Sequence, residues 1–296
     1  MRILDQIVTR APIEKGWSGD RKFCAVTKDG RKYLLRLSGM ERLERKRREF
    51  EKMGEVSWLG IPMCLPLEFG VCPEGVYSIH SWIDGDDGEE RIAAMHPEEQ
   101  YRYGLDAGQI LRKIHTVPAP DDTPDWESRF NAKIDRKIAL YAACPIQYEG
   151  GEAFLSYLAE NRPLLRNRPQ CYQHGDYHVG NMMIDRTGRL TIIDFDRDDY
   201  GDPWEEFNRI VWCAQAAPAF AAGMVDGYFG GVVPMEFWKL LALYISSNAL
   251  GSLPWAIPFG EEEVRVMLRQ GGEILSWYDG MNRVIPAWYE AGAAFR

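Results

Sequence analysis

A chain of 296 residues with 46% hydrophobic and 27% charged side chains is long enough for two lobes with real cores, and its composition excludes a disordered or fibrous protein. Its 35 basic and 44 acidic side chains leave a net charge of −9, which argues against a nucleic-acid binder, because such proteins carry a basic face. No apolar run approaches the ~20 residues a membrane span needs, residues 1–6 show no signal-peptide pattern, and six cysteines without a C-x-x-C pair read as reduced thiols of a cytoplasmic protein without zinc ligation.

In chain order, residues 22–27 and 31–37 read as two strands joined by the turn Lys28-Asp29-Gly30, since Asp-Gly is a strong hairpin signal. Ser38 with Glu41 three residues on suggests a capping box. The spacing then predicts a charged amphipathic helix over 40–59, interrupted at Gly54 and ended by Gly60 and Pro62. Two further strands are expected near Pro66–Cys72 and 76–83. The polar, glycine-bearing stretch 84–88 reads as a linker between lobes. Beyond it come helical patterns at 101–116, 126–143 and Glu152–Asn161. Short strands follow at 181–185 and 190–195 around the turn Arg186-Thr187-Gly188, and the last hundred residues are helical.

The informative segment is His174-Gly175-Asp176-Tyr177-His178-Val179-Gly180-Asn181, followed after the hairpin by Ile193-Asp194-Phe195-Asp196. This is the order of a kinase-type active site: H-x-D-x-x-x-x-N, then D-F-G or a relative. Phosphoryl transfer to a hydroxyl needs a carboxylate beside the incoming O–H, which Asp176 can supply. It also needs oxygen ligands for Mg²⁺ around the nucleotide phosphates, and the hairpin brings Asn181 and Asp194 to one point.

On these motifs the chain resembles the aminoglycoside phosphotransferase family, whose fold is protein-kinase-like and which includes macrolide and choline-type kinases. The resemblance covers nearly the whole chain. It implies an α+β, bilobal fold: a small N-terminal lobe (residues 1–83) with an antiparallel sheet and one helix, which binds the nucleotide, and a larger, mostly helical C-terminal lobe (84–296). It implies that Asp176 is the catalytic base or orienting carboxylate, that Asn181 and Asp194 are metal ligands supported by Asp196, and that His174 braces the loop. The segment Asp202-Pro203-Trp204-Glu205-Glu206-Phe207 is similar to a structural stretch of the family, with Glu206 where an aspartate is usual.

The N-terminal part fits the same reading. Lys15-Gly16-Trp17-Ser18-Gly19-Asp20 looks like a phosphate-covering turn, with Ser18 and Gly19 letting backbone N–H groups approach the phosphates. Where kinases place a strand lysine paired with a helix glutamate, this chain offers Arg36 with Glu49, or leaves Glu49 as one of several solvated helix charges. The strand leading to Asp84 looks like a hinge, with backbone at Ser81 and Ile83 meeting the purine edge. His80 falls at the back of that pocket, either as a gate or as a half-buried structural histidine.

The function expected is transfer of the γ-phosphate of ATP or GTP, with Mg²⁺, to a hydroxyl of a small molecule, with neither nucleic acid nor membrane as partner. A protein kinase is disfavoured by the eight-residue step from Asp194 to Asp202, which leaves no room for an activation segment. Residues 84–296 carry 20 basic and 33 acidic side chains, which favours a cationic, aminoglycoside-like acceptor and so a role in antibiotic resistance. Candidate acceptor carboxylates are Asp226, Glu236, Glu261, Glu262, Glu263, Glu273 and Asp279. A macrolide, an amino alcohol, a sugar, or a nucleotide-binding module without turnover are the alternatives.

Overall fold

In the computed structural model, which describes residues 1–14 and 19–295, the chain groups into two units. The first comprises Met1–Gly88 together with Asn181–Asp196, and the second Glu89–Gly180 with Arg197–Arg296. The grouping thus differs from a single cut at 83/84: the metal-side hairpin belongs with the N-terminal sheet, although it follows it by some ninety residues in sequence.

The first unit is built on an antiparallel sheet of β1 (Ile7–Ile13), β2 (Arg21–Thr27), β3 (Lys32–Ser38), β4 (Pro66–Cys72) and β5 (Gly75–Ser81), in the order β1-β2-β3-β5-β4. The β2–β3 hairpin turns at Gly30, whose φ of 82° is open to glycine and strained for other residues. Ala25, Leu35, Leu37, Tyr77 and Ile79 form the core on this sheet, with Phe23 and Tyr33 packed against it. The register places Lys22, Arg36 and Ser78 in one row across β2, β3 and β5. Side chains alternate along a strand, so this polar row faces away from the neighbouring row of Phe23, Leu35 and Ile79.

Helix α1 (Leu43–Ser57) packs against β4 and β5 after a 3-10 turn, Met40–Arg42. Two expectations are corrected here. No capping box forms, because the Ser38 hydroxyl donates to Asp20 Oδ1 at 2.6 Å and the turn's N-terminus makes no side-chain cap. The helix also runs through Gly54 without a break and stops before Gly60, which has φ 65°.

The stretch after β5 is not a free linker. Gly85–Asp87 forms β6 and pairs antiparallel with β8 (Met182–Asp185), which pairs in turn with β9 (Leu190–Ile192). Gly85 makes this possible: a Cβ there would lie 2.2 Å from the Ile184 carbonyl oxygen. The three-stranded sheet is tied to the rest of its unit by Ile192 N–H donating to the Pro62 carbonyl (2.9 Å) and Cys64 N–H donating to that of Ile192 (3.2 Å).

The second unit is helical: α2 (Gly88–Ala93), α3 (Pro97–Ile114), α4 (Trp126–Ala142), α5 (Glu152–Asn161), α6 (Ile210–Ala216), α7 (Pro218–Phe229), α8 (Met235–Ala256), α9 (Glu261–Trp277) and α10 (Ala287–Ala291), with β7 (Cys171–Gln173) paired to β10 (Asp199–Gly201). Helices α3 and α7 touch through glycines on both sides. Cβ atoms at Gly104, Gly108, Gly223 and Gly227 would each fall within 2.2 Å of a backbone oxygen of the facing helix. Contrary to the sequence reading, one segment, Met235–Phe259, is long and apolar enough to cross a membrane, and 67% of its most apolar window is buried inside the protein. Such a helix suits the centre of a helical unit, because neighbours cover most of its surface.

Candidate active site

Arg36 is the hub of the first unit. Its guanidinium, about nine-tenths buried, donates to Asp194 Oδ1 at 3.0 Å, to Asp196 Oδ2 at 2.6 Å and to Asp20 Oδ2 at 3.2 Å. Burial opposes its charge, but the three carboxylates outweigh that and raise its pKa further. The same balance acts on the acids. Burial pushes Asp20 up, yet Lys46, Ser38 and Arg36 bring it down to about 2. For Asp196, Arg36 and the neighbouring Asp194 likewise overcome burial.

The expected Arg36–Glu49 pair does not form. Glu49 bonds to Arg45 (2.7 Å) and Lys46 (2.8 Å), and Lys46 reaches Asp20 at 2.8 Å. Asp20, with its side chain 1% exposed, therefore takes the place foreseen for the helix glutamate. It sits at the start of β2, on the polar row's side, and β3 runs beside it. Nothing in its local sequence distinguishes it from an ordinary turn aspartate; only the β2–β3 register places it beside Arg36.

Asn181 and Asp194 are held together by the hairpin, because Ile193 N–H donates to the Asn181 carbonyl at 3.0 Å. β9 ends at Ile192, so Asp194 lies beyond the strand with φ 66°. This left-handed conformation is uncommon for a residue with a side chain and recurs at functional sites. Its carboxylate is a quarter exposed and also faces Lys22 Nζ at 3.8 Å. Two carboxylates sharing the Arg36 guanidinium are hard oxygen donors of the kind a hard cation takes.

Of the nucleotide-side residues, Ser18 lies outside the described residues. Gly19 lies against Arg42, whose guanidinium nitrogens are 2.8 Å from where a Cβ would stand. Ser81 ends β5, its N–H donated to the Leu65 carbonyl and its hydroxyl accepting the Leu65 N–H. Ile83 lies just past the strand, and its N–H meets no partner among the described residues. His80 is buried at 4% exposure. Its Nε2 meets Ser78 Oγ at 2.9 Å, while Nδ1 has no partner. Burial first, then Arg36 and Lys46, push its pKa down to about 3, so it is neutral. It lines a cavity of about 20 Å³ with Arg36, Lys46, Glu49, Phe195 and Asp196.

The catalytic-loop residues His174 to Gly180 belong to the second unit. Gly175 has φ 83°, and a Cβ there would strike the Arg197 carbonyl oxygen at 1.8 Å. The buried Glu206 carboxylate accepts the N–H groups of His174 (2.7 Å) and Gly175 (2.9 Å). His174 Nδ1 accepts the N–H of Asp176 at 3.3 Å. Tyr177, fully buried, donates its hydroxyl to the Ala107 carbonyl at 2.7 Å. The loop's backbone is thus fixed from three sides, and the Asp176 side chain stays partly accessible at 17%.

Asp176 has three cationic or titratable neighbours that the sequence reading missed. Arg209 Nε is 3.1 Å from Oδ1, Arg197 Nη1 is 3.5 Å from Oδ2, and His178 Nε2 is 3.8 Å from Oδ1. Burial is the largest influence on Asp176 and raises its pKa, but His178, Arg209 and Arg197 together hold the carboxyl well below the usual range. An acid this strong orients a hydroxyl more readily than it removes its proton in a separate step.

The sequence profile of the phosphotransferase enzyme family matches residues 9–238. No curated protein matches the chain by sequence. Solved structures with the same fold include a mutant aminoglycoside phosphotransferase APH(4)-Ia in ternary complex with ADP and hygromycin B. It is 17% identical with a TM-score of 0.63, over 91% of this chain and 94% of that one. The GDP complex of an aminoglycoside 2'-phosphotransferase IIIa mutant is 13% identical with a TM-score of 0.65, over 93% and 94%. An amicoumacin kinase in complex with AMP-PNP, Ca²⁺ and amicoumacin is 13% identical with a TM-score of 0.65, over 95% and 91%. The chain belongs to the phosphotransferase enzyme family and has its protein-kinase-like fold, so it is a small-molecule kinase.

Proposed function

We propose that the chain moves the terminal phosphoryl group of ATP or GTP to a hydroxyl of a small molecule, in the cytoplasm, with Mg²⁺ as cofactor. The observation that carries the reading is the fork of Arg36 on Asp194 and Asp196. A buried cation facing two carboxylates beside Asn181 is a site for phosphates and a divalent ion together. In this reading Arg36 turns part of its fork to the phosphates, and Asp20 and Lys46 hold it in place. Asn181, Asp194 and Asp196 supply oxygen ligands. Mg²⁺, when bound, neutralises charge on the phosphate oxygens. Gly19, with Ser18, covers the phosphates, and the Ile83 N–H, beside Ser81, meets the base. Asp176 accepts a hydrogen bond from the acceptor hydroxyl and orients its oxygen toward phosphorus. His174 and Glu206 keep the loop in place for that contact.

The acidic balance of residues 84–296 and the ligands of the solved relatives, hygromycin B among them, support a cationic, aminoglycoside-like acceptor and a resistance role. The basic side chains around Asp176, Arg197 and Arg209, favour an acceptor with an anionic group instead. Nucleotide turnover measured with ATP and GTP against aminoglycosides, macrolides, choline, homoserine, sugars, sugar acids and sugar phosphates tests the proposal. Phosphorylation of at least one hydroxyl compound is expected. Failure to bind any Mg²⁺–nucleotide by calorimetry would overturn it.

A further inference from the structure

In the second unit, basic side chains gather around Asp176. Arg197 and Arg209 each have Asp176 as their ion-pair partner, and His178 shares the same carboxylate. Two guanidiniums present ten N–H donors in all, far more than two carboxylate oxygens can accept. Arg197 is half exposed and Arg209 a quarter exposed, so both have donors left for a ligand.

The charge continues to helix α4. Lys137 makes no hydrogen bond or ion pair among the described residues. Its stem lies over Gly251 of α8, where a Cβ would sit 3.0 Å from Cε. Lys133, Arg209 and Arg136 act on its ammonium as like charges, and Glu205 acts on it as the opposite one. Glu205 is already bonded to Lys133 at 3.0 Å, and Asp199, two residues beyond Arg197, is turned to Arg129. Burial, with Lys133, Arg209 and Arg136, pushes the Lys137 pKa down to about 7. A half-buried ammonium among like charges opposes folding unless an anion completes it.

We propose that the acceptor carries an oxyanion, a carboxylate or a phosphate ester, close to the hydroxyl that is phosphorylated. Lys137 and Arg209, with Arg197, bind that group while the hydroxyl meets Asp176. The proposal rests on the kinase reading above and reverses the acceptor charge expected from net composition. Net charge sets the far field, whereas the groups within a few ångströms of the bound ligand decide its sign.

The test uses the full chain saturated with Mg²⁺ and AMP-PNP, so that nucleotide sites are filled. Thermal unfolding is followed while inorganic phosphate, gluconate or kanamycin is added, in the native protein and in Lys137→Met, which keeps the stem's packing over Gly251. Phosphate or gluconate should raise the native Tm in a saturable way, and Lys137→Met should weaken that response at least tenfold while itself melting no lower than the native protein. A response to phosphate alone marks a phosphate-ester acceptor, and a response to gluconate a carboxylate. Equal anion responses in both proteins, or stabilisation by kanamycin and not by anions, would overturn the proposal and leave the kinase reading intact. With any substrate found in the turnover screen, Lys137→Met should raise the acceptor KM and spare the nucleotide KM. A raised nucleotide KM instead would assign the cluster to the nucleotide and refute the inference. Loss of nucleotide binding itself is the separate failure that would sink the kinase reading.

Discussion

At the residue scale, two aspartates with one side-chain chemistry have different partners, and this separates their roles. Asp194 faces Arg36 and Lys22, whereas Asp176 faces Arg209, Arg197 and His178. Asp194→Asn should weaken metal-dependent nucleotide binding and stop transfer. Asp176→Asn should keep nucleotide affinity and lower kcat by ~10²–10⁴. Calorimetry beside a turnover assay checks both, and equal loss of binding in the two variants would reject the assignment. Arg36 calls for a milder change than alanine. Its removal would leave three acids around an empty space, at a cost of roughly 3–5 kcal/mol. Arg36→Lys keeps the charge but not the fork, so KM for nucleotide should rise about tenfold with the fold retained; unchanged kinetics would give the phosphate role to Lys22 instead. The Asp176 loop was legible in the sequence because its spacing is local. Asp20 was not, because its partners Arg36, Ser38 and Lys46 are brought to it by strand register and by the turn into α1.

At the scale of elements, glycines that look alike in the sequence do opposite things. Gly54 lies inside α1 with open space where a Cβ would be, so Gly54→Ala should stabilise the protein by about 0.5–1 kcal/mol through helix propensity. Gly104 and Gly223 lie in the α3–α7 contact, where a Cβ would stand 2.2 Å from the carbonyl oxygens of Phe220 and Tyr101. Gly104→Ala or Gly223→Ala should force the helices apart and cost about 1–3 kcal/mol each. Denaturant midpoints for the three variants check the contrast, and a neutral Gly104→Ala would mean that the helices can separate without penalty. Because α3 also receives the Tyr177 hydroxyl at Ala107, displacement of α3 should lower kcat as well as stability.

For the whole molecule, buried ionisable groups set the acid limb of stability. His80 has its pKa lowered to about 3, so the unfolded chain takes up a proton near the ordinary histidine value that the folded chain refuses. Stability should therefore begin to fall as pH drops below about 6.5, and His80→Leu should remove that first decline. Asp20, held at about 2, contributes on the order of 2 kcal/mol above the ordinary carboxylate range. That contribution is lost as pH falls through about 2, and Asp20→Asn should flatten this second part. Unfolding curves between pH 7 and pH 2 measure both; an unchanged profile in His80→Leu would show that the ring is reached by solvent. The sequence by itself determined the β2–β3 hairpin, strands β4 and β5, helices α1 and α3 to α5, the kinase-type order of Asp176, Asn181 and Asp194, and the family, because alternation, turn residues and motif spacing are properties of neighbours along the chain. Only the tertiary structure decided that residues 181–196 join the N-terminal sheet, that residues 85–87 form a strand instead of a linker, that Asp20 replaces Glu49 beside Arg36, and that arginines surround Asp176 within an acidic stretch. Each of these depends on groups far apart in sequence whose approach is set by packing and register, and whose electrostatic effect falls off over a few ångströms, so neither local pattern nor net charge could carry it.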